Sequence, residues 1–396
     1  MENPKIRFKG FTKDWEQRKL GDVFKEYSEK NHTELSALTI IQGGGTVKRE
    51  DSDRNLMYDT SNLSNYKMVR KDDFIVHLRS FEGGLEKSSL DGIISPAYHT
   101  FHSDMADSRF YYPYFRSYEF IKHKLVSHVY GIRDGRSIDI DGMKTIEIPY
   151  TSIEEQRKIG DYLDCLDHLI TLHQRKCEQT KKLKKYMLQK MFPQNGAKVP
   201  EIRFDGFTYD WEQRKLGEIA TETYGGGTPK TSNEEFWKGD IPWIQSSDLI
   251  DECLFDVRPR KCISQEAVSK SATKLVPQNS IAIVTRVGVG KLAFMPFSYA
   301  TSQDFLSLSG LKIDPEFTVY ALYKMMQSVS NEVQGTSIKG VTKDELLAKK
   351  IIFPSCNEQK KIGAYLHSLD TLITLHQRKC DELKKMKKYM LQNMFI

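Results

Sequence analysis

At 396 residues the chain is long enough for two or three domains, each with its own core. Its formal charge of +6 permits a polyanionic partner without demanding one, which excludes neither nucleic-acid binding nor most other functions. No apolar run approaches the roughly eighteen residues of a membrane span, and the start MENPKIRFKGFTKDW has no apolar segment of signal-peptide length. The expectation is therefore a soluble, cytoplasmic protein with no membrane partner.

The chain opens on a head, PKIRFKGFTKDWEQRKLG at 4–21, that returns at 200–217 as PEIRFDGFTYDWEQRKLG with only three differences, Lys5/Glu201, Lys9/Asp205 and Lys13/Tyr209. A first insert follows over about 22–153. Its β-branched and aromatic residues, broken by Gly, Asn and Pro as in YKMVRKDDFIVHLRSFEGG (66–84), predict short strands with exposed loops in a mixed α/β domain. Two of those loops, GGGTVKRE (43–50) and GIRDGRS (131–137), combine flexible glycine with cationic side chains. Glycine lets a backbone approach a phosphate or a groove closely, and Arg and Lys reach guanine O6/N7 or phosphate oxygen. Lys48, Arg79, Arg133 and Arg136 are accordingly the candidate DNA contacts of this half.

Next comes a helical segment over 154–192. Its apolar-leaning positions advance by alternating fours and threes: Ile159, Leu163, Leu166, Ile170, His173, Cys177, Thr180, Lys184, Met187 and Met191. That is a coiled-coil seam, preceded by Pro149 and stopped by Pro193. The lysines of KKLKKYM crowd its last turn, as suits a helix C-terminus. A linker, 193–199, leads to the second head and to a second domain over 200–356, whose insert is almost unrelated to the first. Its loops YGGGTPKTS (224–232), TRVGVGK (285–291) and GTSIKGVT (335–342) supply the candidate contacts Thr228, Lys230, Arg286, Lys291 and Lys339. The chain closes on a second helix, 357–396, which repeats the first register at Ile362, Leu366, Leu369, Ile373, His376 and Cys380.

Two near-identical frames thus carry two different inserts. Because the second head begins almost where the first helix ends, the second helix must run back along the first. The predicted architecture is two mixed α/β domains, 1–153 and 200–356, separated by two long antiparallel coiled-coil helices with an internal pseudo-two-fold repeat. A histidine in mid-seam, His173 or His376, is expected to pair with a polar neighbour and not to bind metal. Cys165, Cys177, Cys253, Cys262, Cys356 and Cys380 form no C-x-x-C pair, so reduced thiols and no metal site are expected.

No catalytic set emerges. GVGK at 288–291 has Thr285 where a P-loop needs its first glycine, and Leu292 where it needs Ser or Thr. Neither G-x-G-x-x-G, H-E-x-x-H nor G-x-S-x-G occurs, and there is no Asn/Asp-Pro-Pro-Tyr/Phe segment. The sequence does resemble a known family, the specificity subunits of type I restriction-modification systems. The resemblance rests on the W-E-Q-R-K-L-G heads, the E-Q-x-K-I-G-x-Y-L entries to the helices, G-G-T-P-K-T with G-D-I-P-W-I (226–244), and K-L-V-P through A-T-S-Q-D-F (274–305).

That resemblance implies a chain that reads a bipartite target in double-stranded DNA, one half per target-recognition domain, with the helices as spacers. It further implies a scaffold for two methylation subunits and two restriction/translocase subunits. S-adenosylmethionine, ATP and Mg would lie on those partners, with no cofactor and no catalysis on this chain. The first insert lacks G-G-T-P-K-T and offers G-G-G-T-V-K (43–48) and L-R-S-F-E-G-G (78–84) instead, so the two half-targets are expected to differ. The alternatives are a single-chain DNA methyltransferase or nuclease, and a helical-hairpin scaffold for proteins.

Overall fold

In a computed structural model, residues 4–52, 60–77, 84–131, 137–194, 196–334 and 340–395 are described. Two compact units result, one made of Met1–Gln174 with Gln377–Ile396 and the other of Arg175–His376.

In the first unit the repeated head forms a strand, Glu16–Lys19, that pairs antiparallel with Glu147–Tyr150, immediately before the first long helix. Pro149 therefore lies in a strand and not in a helix lead-in, opposite Gln17 on this two-stranded edge where its missing N–H is tolerated. The insert builds a four-stranded antiparallel sheet in the order Lys25–Tyr27, Tyr98–His102, Phe74–His77 and Glu86–Lys87. Two antiparallel pairs accompany it: the hairpin of Leu38–Ile41 with Gly45–Lys48, and Lys67–Val69 with Gly92–Ile94, which brackets two strands of the sheet. Trp15, Phe24, Phe74, Phe101 and Phe110 fill the core, together with Ile159 and Leu163 of the first long helix and Met394, one residue past the second.

The second unit repeats the plan. Glu212–Lys215 pairs with Lys350–Phe353, just ahead of the second long helix. Its sheet runs Ala220–Gly225, Phe305–Leu311, Ser280–Val284, Leu292–Met295, and all five residues of Ser280–Val284 are buried, as a central strand covered on both faces requires. A three-stranded sheet, in which Ile241–Ile244 runs antiparallel to Lys261–Ile263 and parallel to Ala300–Thr301, has no counterpart among the described residues of the first unit. Matching registers align the two central sheets: Phe74 faces Phe101 as Ile281 faces Leu308, and Ile75 faces Glu86 as Ala282 faces Ala293.

The long helices are Ile153–Lys190 and Cys356–Asn393, each 38 residues. Within the first unit, Leu166 and Ile170 pack on Cys380 and Leu383, while Lys387 binds Asp167 at 2.5 Å. As one helix advances the other recedes, so the segments are antiparallel. Within the second unit the same holds: Lys184 binds Asp370 at 2.5 Å, and Met191 shares a core with Ile362 and Leu366. Ile159, Leu163, Leu166, Ile170, Ile362, Leu366 and Leu369 are buried, and Ile373 is half-buried.

Candidate nucleic-acid interface

The repeated residues turn out to fasten head to helix. Arg7 makes a bidentate pair with the buried Glu155 at 2.6 and 2.8 Å, and Arg203 makes one with the buried Glu358 at 2.7 and 2.8 Å. Those carboxylates raise both guanidinium pKa values above the usual range, through the hydrogen bonds first. The neighbouring glutamines do parallel work: Gln156 donates to Thr151 O and accepts from Asp107 N, and Gln359 donates to Pro354 O and accepts from Asp314 N. E-Q in both frames is thus a structural lock that leaves each insert to vary beyond it.

Beyond the lock, the second unit opens a groove of about 650 Å³ at the C-terminal end of Ser280–Val284. Arg286, exposed, lines it with Gly225, Gly226, Gln303 and Lys343. The turn that carries Arg286 depends on glycine, since Gly288 and Gly290 adopt φ of 90° and 108°, which side-chain-bearing residues rarely do. Val287 at its tip is 70% exposed.

The other candidates fall in different places. Thr228 donates a hydrogen bond to Gln303 Oε1 at 2.7 Å beside the groove. Lys230 is exposed on the same loop, and its carbonyl accepts from Trp237 Nε1. Lys291 turns the other way, donating to Leu249 O at 3.1 Å with Asp251 at 3.7 Å, so it braces the turn against the 249–251 segment. Lys48 stands at the end of its hairpin with Glu50 at 3.7 Å. Arg79, Arg133, Arg136 and Lys339 lie outside the described residues.

The two Gly-Gly-Gly-Thr runs are not equivalent. Residues 43–46 turn the hairpin between Leu38–Ile41 and Gly45–Lys48, whereas 225–228 leave the edge strand of the main sheet. The first run is held by a residue that the sequence did not single out. Glu86, buried, accepts from Gly43 N at 2.8 Å and from Tyr112 Oη at 2.9 Å, and pairs with Arg116. Burial, then the charge of Glu86, raises the Tyr112 hydroxyl pKa well above its usual value. Gln303 and Lys343 were likewise missed. The available signal for Gln303 was its place in the A-T-S-Q-D-F run, which strand periodicity does not explain.

Two duplicated α/β domains, each locked to a pair of antiparallel helix segments, define a chain built from a repeated module. The profile described as type I restriction modification DNA specificity domain matches residues 12–182 and again 209–385, and the chain belongs to that family. Among curated relatives, the type I restriction enzyme MjaIX specificity subunit of Methanocaldococcus jannaschii is 31% identical over 196 residues, 47% of this chain and 44% of that one. The EcoR124I/EcoR124II specificity subunit of Escherichia coli is 35% identical over 172 residues, 41% of each chain. These matches span less than half the length of either relative. The crystal structure of a type I restriction-modification S subunit from M. genitalium superposes with a TM-score of 0.61 at 16% identity, covering 100% of this chain and 99% of that one, and shares the fold. No described helix is long and apolar enough to cross a membrane.

Proposed function

We propose that this chain is the DNA-reading subunit of a type I restriction-modification complex, with residues 1–153 and 200–356 each reading one half of a bipartite duplex target. The observation that carries this reading is the open groove at the end of Ser280–Val284, where an exposed arginine on a glycine-shaped turn meets an amide and a lysine. Such a combination suits a base edge flanked by phosphates. Arg286, Thr228 and Lys230 serve the second half-target. Lys48 serves the first, with Arg79, Arg133 and Arg136, and Lys339 joins the second.

The chain scaffolds two methylation and two restriction/translocase subunits, which bring S-adenosylmethionine, ATP and Mg. It carries out no chemistry by itself. The purified chain is expected to bind duplex DNA with an affinity that falls steeply with salt, and to incorporate no label from S-adenosylmethionine until methylation subunits are added. Binding that ignores salt, or robust incorporation by the chain alone, overturns the reading.

A further inference from the structure

The Thr228–Gln303 pair is placed with more care than a surface contact needs. Gly227, just before Thr228, donates its N–H to Thr301 O at 2.8 Å, and its own carbonyl accepts from Trp243 Nε1 at 3.1 Å and Thr273 Oγ1 at 2.9 Å. Gln303 is pinned on both sides: Ser302 N donates to Ile244 O at 3.0 Å, and Asp304 O accepts from Thr285 N at 2.7 Å and Thr285 Oγ1 at 3.0 Å. Both side chains nevertheless point into the open, exposed, and Gln303 lines the same groove as Arg286. A polar side chain held by buried neighbours but left open at its tip is built to meet a ligand.

Thr228 also sets the polarity of that tip. Its hydroxyl donates to Gln303 Oε1 at 2.7 Å, and no described hydrogen bond takes up the two Nε2 hydrogens of this groove-lining amide. Arg286 beside it is a donor only. Lys343 adds a further donor, and the Asp304 carboxylate in the lining already accepts from Ser302 Oγ at 3.5 Å, so the groove favours a base edge rich in acceptors. In the major groove guanine presents O6 and N7, thymine presents O4, and cytosine presents a donor at N4.

Resting on the DNA-reading function above, we propose that Gln303 reads one base of the second half-target through its Nε2 hydrogens, favouring an acceptor edge and guanine foremost. Thr228 is its positioning residue, fixing the amide so that oxygen and nitrogen do not exchange places. Register makes the assignment specific to the second domain. Tyr98 opposite His77 matches Phe305 opposite Val284, so Pro96, which has no amide side chain, stands where the second domain has Gln303.

The test is selection of sequences by the full-length chain from a pool of randomised duplexes, with melting temperature measured in parallel. The wild-type chain should enrich a two-part motif. Gln303→Leu should flatten one position in one part, losing roughly five- to 150-fold discrimination there, with the rest of the motif and the melting temperature unchanged. Thr228→Val should weaken preference at that same position, and Thr228→Ser, which keeps the hydroxyl, should restore it. Gln303→Glu, which only accepts, should turn the preference toward a base with a donor, cytosine or adenine. A Gln303→Leu chain that enriches the wild-type motif at wild-type strength overturns the proposal. So does a loss spread over the whole half-motif with a lowered melting temperature, which marks a merely structural role. A wild-type chain that enriches nothing overturns the DNA-reading function itself.

Discussion

At the scale of single residues, the chain spends charge on holding itself together. Glu358 is 1% exposed and its two oxygens are occupied by Arg203, so removing the guanidinium strands a carboxylate away from water. Breaking a buried pair by deleting one partner costs about 3–5 kcal/mol, whereas replacing both by apolar groups is often close to neutral. Arg203→Met should therefore lower the unfolding free energy by several kcal/mol in chemical denaturation, and Arg203→Met with Glu358→Met should recover most of that loss. Equal destabilisation by the single and double variants would show that the pair has no such role. The repeat made these residues visible as a frame, yet not as a lock. Arg7 and Glu155 are 148 positions apart, and only the pairing of Glu16–Lys19 with Glu147–Tyr150 brings them together.

At the scale of elements, the seam was legible because a 3.5-residue period leaves its mark on every turn, whatever the helix packs against. Burial follows that period from Ile159 to Met191 and from Ile362 to Met394, with Lys184 buried among the apolar positions. Partners across the seam were not legible, since a period names a face and not what meets it. Lys184 and Lys387 occupy the same place in the two copies, yet the first is 8% exposed against Asp370 and the second 26% exposed against a half-exposed Asp167. Tyr320 makes the difference, donating to Asp370 at 2.5 Å from the helix Pro315–Gln334 of the second insert. Identical sequence in the frames is thus given unequal burial by unlike inserts. Lys184→Met should destabilise the protein by about 3–5 kcal/mol, and Lys387→Met by about 1 kcal/mol or less. Thermal melting of the two variants compares them directly, and equal shifts would mean that burial does not decide the cost.

At the scale of the whole molecule, duplication and the mixed α/β class could be read from the sequence, because repeated segments and alternating hydrophobicity are local signals. The groove could not. It is assembled from the ends of Ala220–Gly225 and Ser280–Val284, from the segment after Thr301 and from residues 340–343, and no local pattern announces a meeting of four distant pieces. Glycine-rich runs that look alike, at 43–46 and 225–228, even proved to occupy different places. What the repeat does allow is a decisive test of the helices as a spacer. Each residue adds ~1.5 Å of helix, and each base pair ~3.4 Å of duplex, so four residues correspond to one or two base pairs. Cys177 donating to Ile373 O and Lys184 facing Asp370 place Thr180 between them, opposite the 371–372 peptide. Four residues added after Thr180 are a stutter that alters coiled-coil winding only locally, and four more between Thr371 and Leu372 keep the Cys177–Ile373 and Lys184–Asp370 contacts on their own sides in register. That doubly extended chain should fold, bind DNA and, in cells with its partner subunits, methylate a target whose two halves are unchanged and whose gap is longer by one or two base pairs. Two residues added after Thr180 alone throw Lys184, Met187 and Met191 off the seam, and should lower the melting temperature instead. An active, doubly extended chain with the original gap would show that these helices do not set the spacing.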